Sequence, residues 1–212
     1  MPDLPARLSR ALDVWLPRQR WYAGKDRTHT RVSVVQDALF SRSAGRDGAT
    51  GLILVVRVDF DDGASEHYQV PVGIRSHPPQ SVAPYVIAGL DDLVVYEATG
   101  DHDLVRDLLD LVAKSRPVHP LGFSSEPSPD RTAWPPPAPP RTSRPLGADQ
   151  SNSSVVVDDR YLVKFFRRLH PGVNPDLELQ RALRSGTGRY TAPLHGAIEG
   201  RLDGAPVTYA VV

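Results

Sequence analysis

A proline-rich segment, residues 127–145, divides the chain and limits what the sequence on either side can fold into. The segment reads PSPDRTAWPPPAPPRTSRP. Proline has no backbone N–H and a fixed φ, so prolines at this density disfavour both helices and strand ladders and favour extended polyproline structure. We interpret the segment as a linker, with a docking peptide for a partner protein as the alternative. The predicted units are residues 1–126 and residues 146–212.

The first unit, residues 1–126, carries the periodicities of amphipathic helices and of antiparallel strands. Apolar residues spaced three and four apart predict helices over residues 3–16 and 101–114. Asp101 or Asp103 is the expected cap of the second helix. Strands are predicted over residues 32–40, 52–60 and 65–74. The last two are joined by an Asp-Asp-Gly hairpin turn, and the third alternates as a half-buried strand does. We predict an α+β unit with helices on one antiparallel sheet.

The second unit, residues 146–212, predicts a small antiparallel sheet with one helix. Two apolar runs are separated by a turn at Asp158 and Asp159, and two more strands are predicted towards residue 212. Asn174 can cap a helix whose first residue is Pro175. Because the sequence stops within an apolar run, we expect it to be part of a longer chain.

Charge and composition argue against several classes of function. The chain has 25 basic residues, 25 acidic residues and no cysteine. A balanced charge gives no electrostatic footprint for nucleic acid or an anionic membrane, and without cysteine there are no disulfides or thiolate metal sites. The spacing of the histidines predicts no metal site. We expect a soluble, cytoplasmic protein without a signal peptide or a membrane helix.

A polar loop followed by a lysine in an apolar strand is the candidate functional feature. The only lysines are Lys25, Lys114 and Lys164, and Lys164 lies inside the apolar run YLVKFF. A buried ammonium needs an anionic partner to stay charged. The loop at residues 150–154, QSNSS, can turn its backbone N–H groups towards a phosphate. Glu178, in the first turn of the following helix, can pair with Lys164, which is the order of elements in protein kinases.

Each of these features also has an explanation that needs no ligand. A strand lysine commonly lies at an edge or extends its ammonium into solvent. Acidic residues in a first helical turn interact favourably with the helix dipole, and serines are common in ordinary turns. The glycine-rich loop of protein kinases is absent, so the residues alone leave both interpretations open. GDHDL at residues 100–104 superficially resembles a catalytic loop, but we interpret it as a helix cap because it precedes the lysine.

Three short motifs occur in the second unit in a fixed order: QSNSSV, KFFRR and PGVNPDLE. They resemble the QSNTSV-type loop, the K-x-F-R-R strand and the P-G-x-N-P-D-x-E helix start of actinobacterial maltokinases. Those enzymes are aminoglycoside-phosphotransferase-like kinases that phosphorylate maltose at its anomeric carbon. RQRWYAGKDR in the first unit resembles the opening of the same family. The resemblance implies a cap domain over residues 1–126 and a protein-kinase-like N-lobe over residues 146–212.

The resemblance also implies roles for individual residues. Lys164 is expected at the α- and β-phosphates of ATP, with Glu178 paired to it, and the last strand is expected to lead to the hinge beside adenine. The implied ATP-binding residues are Gln150, Ser151, Asn152, Ser153, Ser154, Lys164 and Glu178. The catalytic aspartate, the Mg²⁺ ligands and most of the maltose site are expected in a C-lobe after residue 212. The chain by itself is therefore expected to be inactive or nearly so.

The implied reaction is the conversion of maltose and ATP to maltose 1-phosphate and ADP, in the route from trehalose to glycogen and related α-glucans. Two alternatives remain open. The chain could be a non-catalytic module that docks through its cap domain on trehalose synthase or on a C-lobe partner, and binding by the cap domain alone would indicate this. It could also belong to a related amino-sugar or aminoglycoside kinase, which the C-lobe would decide.

Overall fold

Two antiparallel sheets and three helices make up the part of the chain that the structure describes. The structure is a computed structural model, and it describes residues 4–42, 48–126, 134, 142–147, 151–183 and 192–212. The helices are α1 (Leu4–Trp15), α2 (His102–Ala113) and α3 (Pro175–Leu183). Within these residues no helix combines the length and the apolar character that crossing a bilayer requires.

Five strands of the first sheet come from residues before α2. Its strands are β1 (His29–Arg42), β2 (Thr50–Phe60), β3 (Ser65–Arg75), β4 (Val86–Leu90) and β5 (Leu93–Glu97). Their order is β1-β2-β3-β5-β4, and every pair is antiparallel. The predicted helices and strands of this unit, and its Asp-Asp-Gly hairpin, are thereby confirmed.

The second sheet is also antiparallel and contains six strands in the described residues. They are β6 (Gly122–Ser125), β7 (Ser143–Leu146), β8 (Asn152–Val157), β9 (Tyr161–Phe166), β11 (Gly196–Leu202) and β12 (Ala205–Val211). Their order is β6-β11-β12-β9-β8-β7. The short strand β10 (Arg168–Leu169) follows β9 in the chain but belongs to the first sheet, where it pairs with β3.

Alternation along β2 explains how the layers stack. Leu54 and Val56 face α1 and one hydrophobic core, whereas Ile53 and Val55 face the opposite way into a second core. That second core contains the apolar stripe of α2 and one face of the second sheet, so α2 lies between the two sheets. A third, small cluster fixes α3 to the second sheet through Leu177.

The N-termini of α2 and α3 are each fixed by a capping side chain. The side chain of Asp101 accepts hydrogen bonds from the backbone N–H groups of Asp103 and Leu104 at the start of α2. The side chain of Asn174 accepts one from the N–H of Asp176 at 2.9 Å, at the start of α3. Each cap satisfies N–H groups that the first helical turn leaves without intrahelical partners. The predicted caps, Asp101 and Asn174, are confirmed.

The second sheet extends beyond the sequence-based boundaries of the second unit. β6 lies within residues 1–126 but pairs with β11, and β7 includes residues 143–145 of the predicted linker. Pro145 is tolerated because β7 is the edge strand of the sheet, where a missing N–H interrupts no second ladder. Trp134, also within the linker, is buried against Tyr161 and His195. The rest of the linker up to residue 141 lies outside the described residues.

The third strand, β3, differs from its predicted half-buried state. Tyr68 and Val70 face the core with α1, as the alternation indicates, but the intervening Gln69 is also fully buried. The reason is that β10 pairs along β3 and brings the second sheet against its other face. The alternation within one strand cannot predict that a second sheet will cover its polar face.

Candidate functional site

The two faces of the second sheet differ in what covers them. Val155, Val163 and Phe165 point into the core that contains α2. Side chains alternate along a strand, so Leu162 and Lys164 lie on the opposite face. There Leu162 keeps 48% of its surface exposed and the Lys164 side chain 30%. α3 covers this face at Phe166 and Val211, whereas the part around Leu162 and Lys164 is exposed, and we refer to it as the open face.

Lys164 is held by the start of α3. Its Nζ lies 2.6 Å from Oδ2 of Asp176 and 5.6 Å from the centre of the Phe166 ring. Its cross-strand neighbours are Ser154 on β8 and Val211 on β12, so Lys164 occupies the middle of the sheet. The ammonium is therefore paired but partly accessible, which leaves donor capacity for an additional anion.

The predicted pair between Lys164 and Glu178 is replaced by the pair with Asp176. Leu177 is fully buried against the sheet and sets the rotation of α3. Successive helical residues point about 100° apart, so the residues on either side of Leu177 face different directions. The side chain of Asp176 therefore points towards Lys164, whereas Glu178 is exposed to solvent. Glu178 makes no ion pair with Lys164.

The candidate loop residues divide between the two faces of the sheet. Gln150 lies outside the described residues, and Ser151 is exposed at the loop end. Asn152 and Ser154 share the face of Lys164, since Ser154 is its direct cross-strand partner. Ser153 points the other way, and its Oγ accepts a hydrogen bond from Nε of Arg167 at 2.8 Å.

Arg167 is a residue that the sequence interpretation missed. It continues the inward alternation of Val163 and Phe165, and it is completely buried between the two sheets. Its guanidinium forms an ion pair with Glu97 of β5 and lies 4.8 Å from the Trp21 ring centre. Burial lowers the pKa of Arg167 to about 9, and the Glu97 carboxylate opposes that loss of charge. The sequence feature that could have identified it is an arginine at a position where the alternation of the strand predicts a buried side chain.

A cleft of about 290 Å³ lies beside this ion pair, between the first sheet and the loop end of the second. Its walls include Trp21, Tyr85 and Glu97 from the first unit and Gly147, Asn152 and Ser153 from the second. Arg20 also crosses the boundary, because its guanidinium donates to the carbonyl oxygen of Gly147 at 3.0 Å. The residue directly after β7, which precedes the candidate loop in the chain, is thus hydrogen-bonded to the N-terminal unit.

Metal ions in proteins are commonly held by groups of carboxylate and imidazole side chains. Across the residues that the structure describes, no three His, Asp or Glu side chains are grouped so that they could hold a metal ion.

The first unit matches a known domain family. Residues 15–101 fit the family model described as the maltokinase N-terminal cap domain. Residues 15–101 are called the cap domain below, after the family model that they match. The matched range includes β1 to β5 and Trp21, so the contacts of Arg167 with Glu97 and Trp21 are contacts between the cap domain and the second sheet.

Most of the chain is similar in fold to solved glucosamine kinases. One is a glucosamine kinase in complex with glucosamine, ADP and inorganic phosphate, with a TM-score of 0.53 and 18% identity over 87% of this chain. Another is a glucosamine kinase in its crystal form A, with a TM-score of 0.52 and 17% identity over 86% of this chain. The chain spans 35% and 34% of the lengths of those two proteins. At these identities the likeness shows a kinase-like fold, with the cap domain followed by a sheet and helix of N-lobe type.

Proposed function

We propose that this chain is the N-terminal part of an ATP-dependent maltokinase. In this proposal the cap domain is followed by the kinase N-lobe, and the open face of the second sheet binds the phosphates of ATP. The complete enzyme transfers the γ-phosphoryl group to the anomeric hydroxyl of maltose and yields maltose 1-phosphate. The support consists of the cap-domain match, the kinase-like fold and the three motifs of the second unit.

The observation that carries the proposal is the setting of Lys164. An ammonium lies in the middle of a sheet, on its open face, next to the end of a serine-rich loop and bound to the first turn of a capped helix. A lysine that served only as a surface charge would not need a helix terminus to fix its position. The partner is Asp176 instead of Glu178, but the same function follows, because an acidic residue of α3 orients the ammonium.

In the proposed site each residue acts on the phosphates by position and charge. Lys164 donates to the α- and β-phosphates, while Asn152 and Ser154 lie on the same face of the sheet and Ser151 lies at the exposed loop end. Bound Mg²⁺ would neutralise charge on the transferred phosphoryl group, and its ligands belong to the proposed C-lobe. The general base and the sugar site belong there too, so the 212 residues alone should not phosphorylate maltose.

The experiment is a kinase assay on the native protein that contains these residues, with maltose, ATP and Mg²⁺. We expect maltose 1-phosphate, and we expect Lys164→Met to lower kcat/KM by at least about tenfold, since a charge-assisted hydrogen bond contributes about 1.5–3 kcal/mol. Lys114→Met is the matched control, because Lys114 pairs with Asp110 on the exposed side of α2. No maltose 1-phosphate from the native protein would contradict the proposal.

A second candidate is an amino-sugar kinase, and the fold likeness to glucosamine kinase favours it over other acceptors. Competition between maltose and glucosamine in the same assay separates the two. The maltokinase proposal expects the larger kcat/KM for maltose, and a larger value for glucosamine would select the second candidate.

Two further parts of the proposal concern the cellular setting. We propose a cytoplasmic enzyme whose cap domain contacts trehalose synthase, in keeping with a role in α-glucan synthesis. Co-purification of trehalose synthase with the native protein is expected. Loss of that association on deleting the second unit, with the cap domain still folded, would argue against docking through the cap.

A further inference from the structure

We propose that Arg181 is a positioning residue that keeps Asp176, rather than Glu178, against Lys164. It holds the C-terminal end of α3 on two carboxylates of the second sheet and so prevents the helix from rotating about its axis. This positioning is a property of the fold and needs no ligand, whereas its effect on phosphoryl transfer rests on the function proposed above.

The helix α3 crosses the second sheet and is held at both of its ends. In its first turn Asp176 binds Lys164 of β9 at 2.6 Å. In its last turn Arg181 binds Glu199 of β11 at 2.9 Å and Glu126, directly after β6, at 2.7 Å. The nine residues of the helix rise about 13 Å, close to the three strand spacings of about 4.8 Å between β9 and β6. The arginine therefore fixes the end of α3 that is farther from the lysine.

All three nitrogens of the Arg181 guanidinium take part in this contact. Nη1 and Nη2 donate to the two oxygens of Glu199 at 3.2 and 2.9 Å, and Nε and Nη2 donate to Oε1 of Glu126 at 2.9 and 2.7 Å. Paired bonds to planar carboxylates fix the direction of the side chain as well as neutralising its charge. Because both carboxylates bind the same nitrogen, they lie close together and would repel each other without the arginine.

The contact of Arg181 lies on the same side of α3 as the buried Leu177. Side chains one helical turn apart share a face, so the leucine and the arginine reach the sheet at successive points along the axis. Leu177 makes an apolar contact that has little directional preference, and Arg181 adds a directional one. Asp176 and Glu178 point about 100° to either side of Leu177, so rotation of the helix would move one away from Lys164 and the other towards the sheet.

The test is the rate of reductive methylation of Lys164 in the free chain. The chain has only two other lysines, so mass spectrometry of its peptides gives a rate for each lysine. Methylation requires a free amine, and a carboxylate that holds Lys164 therefore slows it. The variants are Asp176→Asn and Glu178→Gln, each made alone and together with Arg181→Met.

Two further variants separate positioning from a general loss of stability. Arg27→Met is the matched control, because Arg27 is 29% exposed and is likewise held by two carboxylates, Asp62 and Glu66, but lies in the cap domain. It should leave the rate at Lys164 unchanged. Arg181→Lys keeps the charge without the planar fork, so it should behave between the unsubstituted chain and Arg181→Met.

With Arg181 in place, we expect Asp176→Asn to raise the rate at Lys164 by about twofold to fivefold, as for a partly exposed ion pair, and Glu178→Gln to leave it unchanged. After Arg181→Met the effect of Asp176→Asn should shrink relative to that of Glu178→Gln, which is a coupling between separate sites. A ratio of the two effects that Arg181→Met leaves unchanged would overturn the proposal. If Arg181→Met does not fold, Glu199→Gln takes its place under the same criterion.

A kinase assay on the native protein that contains these residues extends the test to the reaction. Arg181→Met should lower kcat by about the same factor as Asp176→Asn and leave the KM for maltose unchanged, because both act through Lys164. An unchanged kcat in Arg181→Met would refute its role in the reaction. If the native protein makes no maltose 1-phosphate, the function proposed above is contradicted, and the methylation rates still decide the positioning.

Discussion

Gln69 offers the sharpest test of how the cap domain is joined to the second sheet. Its side chain is fully buried, and Nε2 donates to the backbone carbonyl oxygens of Phe166 and Tyr209. These carbonyls belong to β9 and β12, so one amide connects the cap domain to two strands of the other sheet. Gln69→Leu removes both donors and keeps nearly the same volume.

The magnitude follows from the groups that change partners. Each buried carbonyl that loses its donor costs about 1–3 kcal/mol. Part of this is recovered, because Oε1 of Gln69 is already buried without a hydrogen-bond partner among the described residues, and leucine removes it. The net loss in the free energy of unfolding should be about 1–3 kcal/mol. For a chain of this size that corresponds to a fall in Tm of roughly 2–12 °C.

The assay is urea and thermal unfolding followed by circular dichroism, with Gln36→Leu as the matched control. Gln36 is half-buried and makes one long hydrogen bond, 3.4 Å, to the hydroxyl of Tyr209. Its replacement should change the free energy of unfolding by less than about 0.5 kcal/mol. If Gln69→Leu unfolds at the same urea concentration as Gln36→Leu, the buried amide does not hold the two units together.

Three further predictions concern stability. Leu177→Ala should lower the free energy of unfolding by about 2–5 kcal/mol because Leu177 is fully buried, whereas Leu179→Ala, at an exposed position, should cost under about 0.5 kcal/mol in the same urea titration. Gly196→Ala would put a Cβ 2.3 Å from a carbonyl oxygen of β6 and should cost about 1–3 kcal/mol, while Gly89→Ala meets no atom within 4 Å; equal Tm values for the two would contradict this. Burial lowers the pKa of His67 from 6.5, so the unfolded chain binds its proton more readily and stability should fall as the pH drops through 6.5; His67→Gln should flatten that dependence in melts at pH 7.5 and 5.5.

The elements that could be predicted are those whose information is local. The two helices of the first unit follow from their apolar spacing, and Asp101 and Asn174 follow from the N–H groups that a first turn leaves free. The position of Lys164 beside a polar loop and a capped helix was also evident in the order of residues. The pairing of β8 and β9 as a hairpin is enough to place Lys164 beside Ser154.

The features that could not be predicted depend on packing between distant segments. The strand β7 was not predicted because it contains Pro145. A proline is tolerated there only because β7 is an edge strand of the sheet. In the sequence nothing distinguishes Gln69 and Arg167 from exposed polar residues, but both are fully buried where β10 pairs with β3. The choice of Asp176 over Glu178 depends on the rotation of α3, which Leu177 determines by its contact with the sheet. None of these relationships is expressed in local periodicity.

The central claim is that nucleotide phosphates bind at Lys164, and the chain has only two other lysines, Lys25 and Lys114. Labelling lysine with ¹³C at Cε gives three NMR signals, which Lys→Arg substitutions assign one by one. On addition of ADP we predict that the Lys164 signal shifts while the signals of Lys25 and Lys114 stay in place. A Lys164 signal that does not move up to millimolar ADP, or one that moves no more than the other two, would contradict the account.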